Sequence, residues 1–337
     1  MSVAMDHLAS FFLLSTLFLH VGATSNGSVI INAYWKEVFP RTTMPDAIRA
    51  LLPSSAKISD LVRRDVINNH HPVESKEAGR AYCPWCNTWG GIGRGHGSNT
   101  FNLSDDWSKR NRSPELAPLY FLRKDLLPGS KMNVTMTISP VADRGEPTFL
   151  PCQQAQAIPF SSSNLATILE MFSIEPHSEH ASLARETLDD CETPALKGEL
   201  KYCATSLESM IDFAVAEFGT NEIHAAVTSV VNRDEEVKAR TYKVGVGGGR
   251  VMSRKVVTCH NMMFPYAVFY CHNLAWTRAY MVPLVAEDGS RVNAIALCHF
   301  DTSNWNPGHA SFRVLGVKPG TVPICHFILK DLAWVPN

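Results

Sequence analysis

The sequence predicts an α+β fold, in which a helical segment leads into a mainly antiparallel β C-terminal module held by disulfides. Apolar residues at three-and-four spacing over 206–218 predict a helix, with Ser206 as its N-cap and Gly219 as its stop. The chain after this helix is strand-like, with turn signals at Asp288-Gly289 and Pro319-Gly320. Nine cysteines indicate an oxidising compartment, where disulfides persist.

Further elements follow from local patterns along the chain. Proline at a first-turn position predicts a helix over 45–52, and 165–172 also has helical character. Residues 120–138 are strand-like on both sides of a Pro128-Gly129 turn. Later strands are predicted at Val256-Val257, Ala279–Val285, Val292–Leu297, Phe312–Val317 and Phe327–Leu329.

Composition and hydropathy divide the chain into three parts. An apolar run over 11–19, followed by Val21-Gly22-Ala23, predicts a signal peptide over 1–23. A leader of mixed character follows over 24–117, and the folded module is expected over 118–337. No later stretch reaches the roughly 18 apolar residues of a membrane span. The 31 basic and 32 acidic residues leave no basic excess for nucleic acid or an anionic membrane.

Secretion is supported as well by glycosylation sequons, which have the pattern Asn-x-Ser/Thr. They stand at Asn26, Asn102, Asn111 and Asn133. We expect a protein of the extracellular space or cell wall, with the vacuole as an alternative destination.

Four Cys-His dipeptides stand in the last 79 residues of the chain. Because neighbouring residues of a strand point to opposite faces, each dipeptide would send its sulfur one way and its imidazole the other. The sulfurs could pair as disulfides on one face, and the imidazoles could converge on a metal ion on the other. A Cys2His2 zinc site is disfavoured, because zinc ligands usually come in Cys-x2–4-Cys pairs. The dipeptides are Cys259-His260, Cys271-His272, Cys298-His299 and Cys325-His326.

Imidazole ligands suit several transition metals, and Cu(II) heads their affinity order. The four histidines could form one four-ligand site or contribute to two sites that other groups complete. His224 and His309 are candidates for completing such sites, although each alone is more often a hydrogen-bonded structural histidine. Acidic residues around Cys191 are interpreted as a solvated turn, namely Asp189, Asp190 and Glu192.

The pattern CH-x10-CH-x25-CH-x25-CH, followed by Trp334, resembles the plant BURP domain. Similar segments include 158–162, Asp190-Cys191-Glu192, 203–210, 301–303 and 305–307, so the resemblance runs from about Tyr120 to Asn337. Many members carry a histidine shortly before the final Trp, where this chain has Leu332.

The resemblance implies a secreted plant protein. Some members resemble seed, anther or dehydration-responsive proteins, or the non-catalytic subunit of a polygalacturonase. Others are copper-dependent peptide cyclases that crosslink a Trp or Tyr side chain of a core peptide. By this resemblance, His260, His272, His299 and His326 would hold copper. Cys259, Cys271, Cys298 and Cys325 would form two disulfides, and Cys191 with Cys203 a third.

One leader segment, over 82–91, is rich in aromatic residues and glycine. Its Trp85 and Trp89 give it some likeness to a cyclase core peptide, although it has one copy and lacks the usual Gln. A local disulfide between Cys83 and Cys86 is the favoured alternative, followed by a redox Cys-x-x-Cys or an aromatic binding loop. Cys152 is the ninth cysteine, either free or paired with one of these two.

Three functions are compatible with these observations. The first is a secreted copper-binding protein with a developmental or stress-related role in the cell wall. The second is a copper- and O2-dependent peptide cyclase, acting on itself or on a separate peptide. The third is a non-catalytic partner of an enzyme that modifies wall polysaccharides. Expected partners are therefore wall components or a peptide substrate.

Overall fold

The computed structural model describes residues 27–53, 93–94, 120–138, 147–231 and 237–337. It confirms the α+β class, because helices come first and the C-terminal half is mainly antiparallel β-structure with disulfides. The predicted signal peptide, the Trp85 and Trp89 segment and three sequons lie outside the described residues. The fourth, Asn133, lies on a strand backbone.

Every described α-helix except the last comes before Ile223, where the long C-terminal run of strands begins. Their bounds are Gly27–Val38 (α1), Asp46–Arg49 (α2), Cys152–Gln156 (α3), Leu165–Met171 (α4), Glu179–Glu192 (α5), Leu207–Phe218 (α6) and Ala310–Leu315 (α7). Within the described ranges, none has both the length and the apolar character needed to cross a bilayer.

The strands alternate with tight turns after α6. Their bounds are Gly93–Arg94 (β1), Tyr120–Leu122 (β2), Lys131–Ile138 (β3), Glu199–Ala204 (β4), Ile223–Ala226 (β5), Ser229–Val230 (β6), Val237–Val244 (β7), Arg250–Ser253 (β8), Val257–Met262 (β9), Val268–Leu274 (β10), Thr277–Ala286 (β11), Arg291–His299 (β12), Ile324–Ile328 (β13) and Leu332–Pro336 (β14).

Helix α6 begins and ends as its sequence predicts. The Ser206 hydroxyl accepts a hydrogen bond from the Ser209 backbone N–H at 3.1 Å, which satisfies a free donor of the first turn. Gly219 adopts the left-handed conformation, with φ of 70°, that a residue without a Cβ takes at low cost. These caps fix the helix that covers the first sheet.

The strands form two antiparallel sheets. The first has the order β1-β4-β10-β9-β14-β5, and the second has the order β2-β13-β12-β11-β7-β3 with β6 beside β12 and β8 beside β11. Inner-face residues of the two sheets pack together in one apolar cluster, among them Ala333 and Val335 of the first sheet and Ile295 and Leu297 of the second. Apolar packing therefore holds the two inner faces together, and polar side chains on the same faces can form a site beside it.

Each sheet also has an outer core on its other face. Helices α1 and α6 cover the first sheet in a cluster that includes Cys259, Cys271 and Trp334. Residues of β2, β7, β11 and the turn before β3 join Cys298 and Cys325 in the outer cluster of the second sheet. The paired cysteines thus lie in the outer cores, which leaves the inner faces to their histidine neighbours.

Two local predictions are wrong. Residues Phe312–Val317 were expected to form a strand, but they contribute to helix α7, which His309 caps and Gly316 ends in the left-handed conformation. The acidic residues near Cys191 were interpreted as a solvated turn, but they belong to the last turn of α5, where Asp190 is buried. The first error arose because six residues are too few to show a helical period, and the second because a charged residue is not expected to be buried from its type alone.

Candidate metal centre

The first histidine pair is positioned by strands β9 and β10. Cys259 and Cys271 lie directly opposite each other in the sheet and form a disulfide. His260 and His272, the next residue on each strand, point to the other face, and their Nε2 atoms are 3.3 Å apart. The alternation of side chains along a strand therefore gathers two imidazoles behind each disulfide.

Strands β12 and β13 repeat this arrangement in the second sheet. Cys298 and Cys325 are directly opposite and disulfide-bonded. On the other face, the Nε2 atoms of His299 and His326 are also 3.3 Å apart, and the two rings stack with centroids separated by 5.4 Å. The two sheets thus carry equivalent pairs.

The two pairs meet between the sheets. The ring centroids of His260 and His326, which belong to different sheets, are 6.3 Å apart. His272 and His299 are buried, and the other two are partly buried. Across the residues that the structure describes, no three His, Cys, Asp or Glu side chains converge at metal-binding distance on one point. The donors are therefore organised as two neighbouring pairs.

Carboxylates contact the Nδ1 atoms of the first pair, on the side of each ring opposite the facing Nε2 atoms. The Nδ1 of His260 is 3.0 Å from Asp331 Oδ2, and the Nδ1 of His272 is 2.8 Å from Glu199 Oε1. Asp331 also accepts from the backbone N–H of Asn261, and Glu199 from that of Leu196. An imidazole that donates Nδ1–H to a carboxylate presents the lone pair of Nε2, which is the form that binds metal.

Neutral groups hold the second pair. The Nδ1 of His299 is 3.0 Å from the hydroxyl of Thr277, its direct partner across the β11–β12 hairpin. The Nδ1 of His326 is 3.4 Å from the carbonyl oxygen of Phe327, which can only accept. His326 therefore presents its Nε2 lone pair to His299.

Burial lowers the pKa of three of the four histidines. It lowers the pKa of His272, in spite of the opposing hydrogen bond to Glu199. It lowers the pKa of His299 well below its ordinary value and that of His326 to about 4, and the neighbouring imidazoles add to both effects. Burial alone would raise the pKa values of Glu199 and Asp331, but the neighbouring histidines and backbone hydrogen bonds together outweigh it, so both pKa values are lowered. The carboxylates are thus ionised, whereas His272, His299 and His326 resist protonation.

Aromatic rings enclose the second pair. The ring of Trp305 lies 5.0 Å from that of His299, and the ring of Tyr120 lies 6.3 Å from that of His326. His309 contacts both aromatic rings, and its Nδ1 accepts the backbone N–H of Ser311 at 3.1 Å as the cap of α7. His309 therefore lies behind the aromatic rings in a capping role.

The other candidate ligands lie away from the centre. His224 is on β5, with its Nδ1 2.8 Å from the side-chain oxygen of Asn337. Leu332 is opposite Cys259 in the sheet and packs in the outer core with Trp334. Position 332 thus faces away from the histidines, so the absent histidine of many BURP domains would not point into the centre from here.

The remaining described cysteines are also oxidised. A disulfide joins Cys191 at the end of α5 to Cys203 on β4. Cys152 is disulfide-bonded as well, and none of the described cysteines is free. No thiolate is therefore available to the centre from the described part of the chain, which leaves an imidazole donor set.

A BURP domain family model matches residues 119–336 of the sequence. The chain belongs to the BURP family. It is 46% identical over 223 residues to BURP domain-containing protein 17 of Oryza sativa subsp. japonica, which covers 65% of this chain and 38% of that protein. It is 42% identical over 240 residues to BURP domain protein RD22 of Arabidopsis thaliana, which covers 70% of this chain and 60% of that protein.

A third relative matches nearly the whole chain. BURP domain-containing protein 5 of Oryza sativa subsp. japonica is 36% identical over 312 residues, which cover 92% of this chain and 88% of that protein. The first two relatives are considerably longer than the match, since this chain spans less than two thirds of each.

Sequence reasoning missed the groups that hold the histidines. Glu199, Asp331 and Thr277 come from three different strands or turns, and no motif links them to the Cys-His pairs. Only Thr277 carried a usable signal, because a β11–β12 hairpin centred on Asp288-Gly289 places it opposite His299. Glu199 and Asp331 could be identified only once the order of strands in the sheet was known.

Proposed function

We propose that this BURP protein is a secreted plant protein that binds copper through His260, His272, His299 and His326. Its role would be developmental or stress-related, in the cell wall or extracellular space. The observation that carries the proposal is the facing of Nε2 atoms within each pair, with every Nδ1 already engaged on its far side.

The first pair supports a bound cation most directly. The Nε2 atoms of His260 and His272 are 3.3 Å apart, and when each ring donates its Nδ1–H to its carboxylate, both turn a lone pair toward this gap. Two facing lone pairs repel, and a cation between them removes the repulsion. The separation suits two nitrogens on one ion, since metal–imidazole bonds are about 2.0 Å long.

The donor set favours copper over other divalent ions. Over the ranges that the structure describes, the inner face offers imidazole nitrogens and no thiolate, because the neighbouring sulfurs are oxidised. Among first-row divalent metals, Cu(II) binds such nitrogen sites most tightly. Bound copper would supply one-electron redox chemistry. The protein would hold the ligands, through Glu199 and Asp331, and limit water access through Trp305 and Tyr120.

The cyclase alternative uses the same centre. A copper- and O2-dependent peptide cyclase needs the same ligands, together with an aromatic substrate placed beside them. The partly exposed ring of Trp305 beside His299 favours this alternative, because a peptide ring can pack against it. Trp85 and Trp89 remain the candidate residues of such a peptide within the chain.

Metal content and intact mass, measured together, test these functions. The full chain is produced in a plant host supplied with copper and compared with the His299→Ala/His326→Ala double variant. His224→Ala is the matched control, because that histidine lies away from the centre. We expect copper in the parent and control and a clear loss of copper in the double variant.

The mass decides between the remaining functions. Copper with no mass change beyond disulfides and glycans supports a copper-holding wall protein, or an enzyme acting on a separate peptide. A further loss of two hydrogens supports the self-cyclase alternative and directs mapping to Trp85 and Trp89. Absence of copper from the parent would overturn the proposal and favour a non-catalytic partner of a wall enzyme.

A further inference from the structure

Residues 27–53 lie before the matched BURP domain, yet they complete its outer core. The family match begins at residue 119. Helix α1 and the turns after it insert six buried side chains into the cluster that covers the first sheet. These side chains are Ile31, Trp35, Phe39, Met44, Ile48 and Leu51. We call residues 27–53 the clamp segment.

The clamp segment covers the end of the domain through aromatic contacts. Trp334 on the C-terminal strand is fully buried. The ring centroid of Phe39 lies 5.7 Å from it in a stacked arrangement, and that of Trp35 lies 6.1 Å away. Trp334 would lose this cover without the clamp segment, so its burial depends on residues outside the matched domain.

Polar contacts fix the clamp segment along its length. The Tyr34 hydroxyl donates to Asp212 on α6. The Asn221 side-chain amide donates to the Val38 carbonyl at 3.1 Å. Near the other end, the Phe149 backbone N–H donates to the Leu51 carbonyl at 2.8 Å. These contacts, at the helix, at its end and at the last turn, fix how the clamp segment is aligned along the domain.

No covalent bond other than the backbone attaches the clamp segment. The first cysteine of the sequence is Cys83, so no disulfide can involve residues 27–53. Apolar burial must hold the segment, and each fully buried side chain of this size contributes roughly a tenfold factor or more to an equilibrium constant. The match to the rice protein that covers 92% of the chain extends into the segment.

We propose that the groove formed by α6, β14 and Phe149 is a binding site for an amphipathic helix, and that the chain's own clamp segment occupies it non-covalently. The mode is a helix in a groove, with anchors at Ile31 and Trp35 in the helix and at Phe39 directly after it, each four residues from the next. The clamp segment therefore stays bound after proteolysis between residue 53 and Cys83, so that a protein cut there is a two-chain complex.

A designed cut in the full chain tests the proposal. A sequence-specific protease site is inserted between Asp60 and Leu61, before the first cysteine, and the purified chain is cut under native conditions. We expect both fragments to elute together and to appear as one complex at the mass of one chain in native mass spectrometry. Separation of the fragments at micromolar concentration would overturn the proposal, as would a dimer in which segments are exchanged.

Two adjacent isoleucines provide a matched control. Ile31 is fully buried in the groove, whereas Ile30 is 41% exposed on the same helix. In the cut protein, we expect Ile31→Asp to release the fragment and Ile30→Asp to retain it. Should Ile31→Asp yield no folded chain, Ile31→Ala is used, with roughly tenfold or greater weakening expected. Equal retention in buried and exposed variants would overturn the groove assignment.

Discussion

His260 and His272 face each other across 3.3 Å because Cys259 and Cys271, their neighbours in sequence, are directly opposite in the sheet. The same relation holds for His299 and His326 in the second sheet. A Cys-His dipeptide in a strand thus does two things at once. Its sulfur forms a disulfide that crosslinks the two strands in an outer core, and its imidazole lies in the inner site.

Glu199→Gln should weaken copper binding without removing a ligand. Glu199 accepts the Nδ1 proton of His272, so the amide would orient the ring less firmly and lower its basicity. Loss of such a partner typically costs about 10- to 100-fold in metal affinity. Competition with a chelator of known affinity measures the effect. Glu222→Gln, on an exposed residue, is the control. Unchanged affinity in Glu199→Gln would contradict the role of this carboxylate.

The metal-free protein should lose stability as the pH falls below 6.5. Burial lowers the pKa of His326 to about 4. Between pH 6.5 and 4, the unfolded chain therefore binds a proton at this residue and the folded chain does not. Its contribution is present above pH 6.5, falls between pH 6.5 and 4, and amounts to on the order of 3 kcal/mol. Denaturant unfolding at pH 7 and 5 measures it.

A pair of variants isolates that contribution. His326→Gln removes one titrating group and should make the pH profile less steep, although it lowers stability at pH 7; His272 and His299, whose pKa values are also lowered, account for the slope that remains. His177→Gln, on an exposed histidine, should keep the profile of the parent. A parent profile that stays flat from pH 7 to 5 would show that folding does not lower the pKa of His326.

The sequence predicted the geometry of the centre better than its surroundings. Strand alternation is a local property, so the Cys-His dipeptides alone predicted sulfur on one face and imidazole on the other. Which strands pair is a non-local property, so the partners Glu199 and Asp331 stayed hidden until the sheet order was known. The caps of α6 were predicted because Ser206 and Gly219 each act on the helical turn next to them.

The clamp segment shows the opposite limit. Helix α1 was not predicted, because Pro40 and Pro45 interrupt its surroundings and its apolar residues match a groove made by distant elements. Helix α7 was taken for a strand because its six residues span less than two helical turns. Tertiary contacts decide such segments, and a local pattern does not reveal them.

His309→Ala should lower stability and leave the copper content unchanged. The Nδ1 of His309 accepts the Ser311 N–H at the start of α7, and losing a cap costs about 1 kcal/mol. His309→Asn is the control, because Asn is a good N-cap and should restore part of the loss. Metal analysis and thermal unfolding check both effects. A reduced copper content in both variants would instead make His309 a ligand.

The two 12-residue disulfides provide a test of how far the outer core controls the centre. Cys259–Cys271 and Cys191–Cys203 have the same sequence separation, so removing either should cost a similar loop entropy, equivalent to about 3 kcal/mol. Only the first lies behind a histidine pair.

Cys259→Ser/Cys271→Ser should therefore weaken copper binding at least tenfold, whereas Cys191→Ser/Cys203→Ser should destabilise the fold and leave the affinity within about threefold of the parent. Unfolding and chelator competition are measured on the same preparations. Equal affinities in the two double variants would mean that the strands alone hold the imidazoles, and that the pairing of sulfur with histidine in each dipeptide serves stability only.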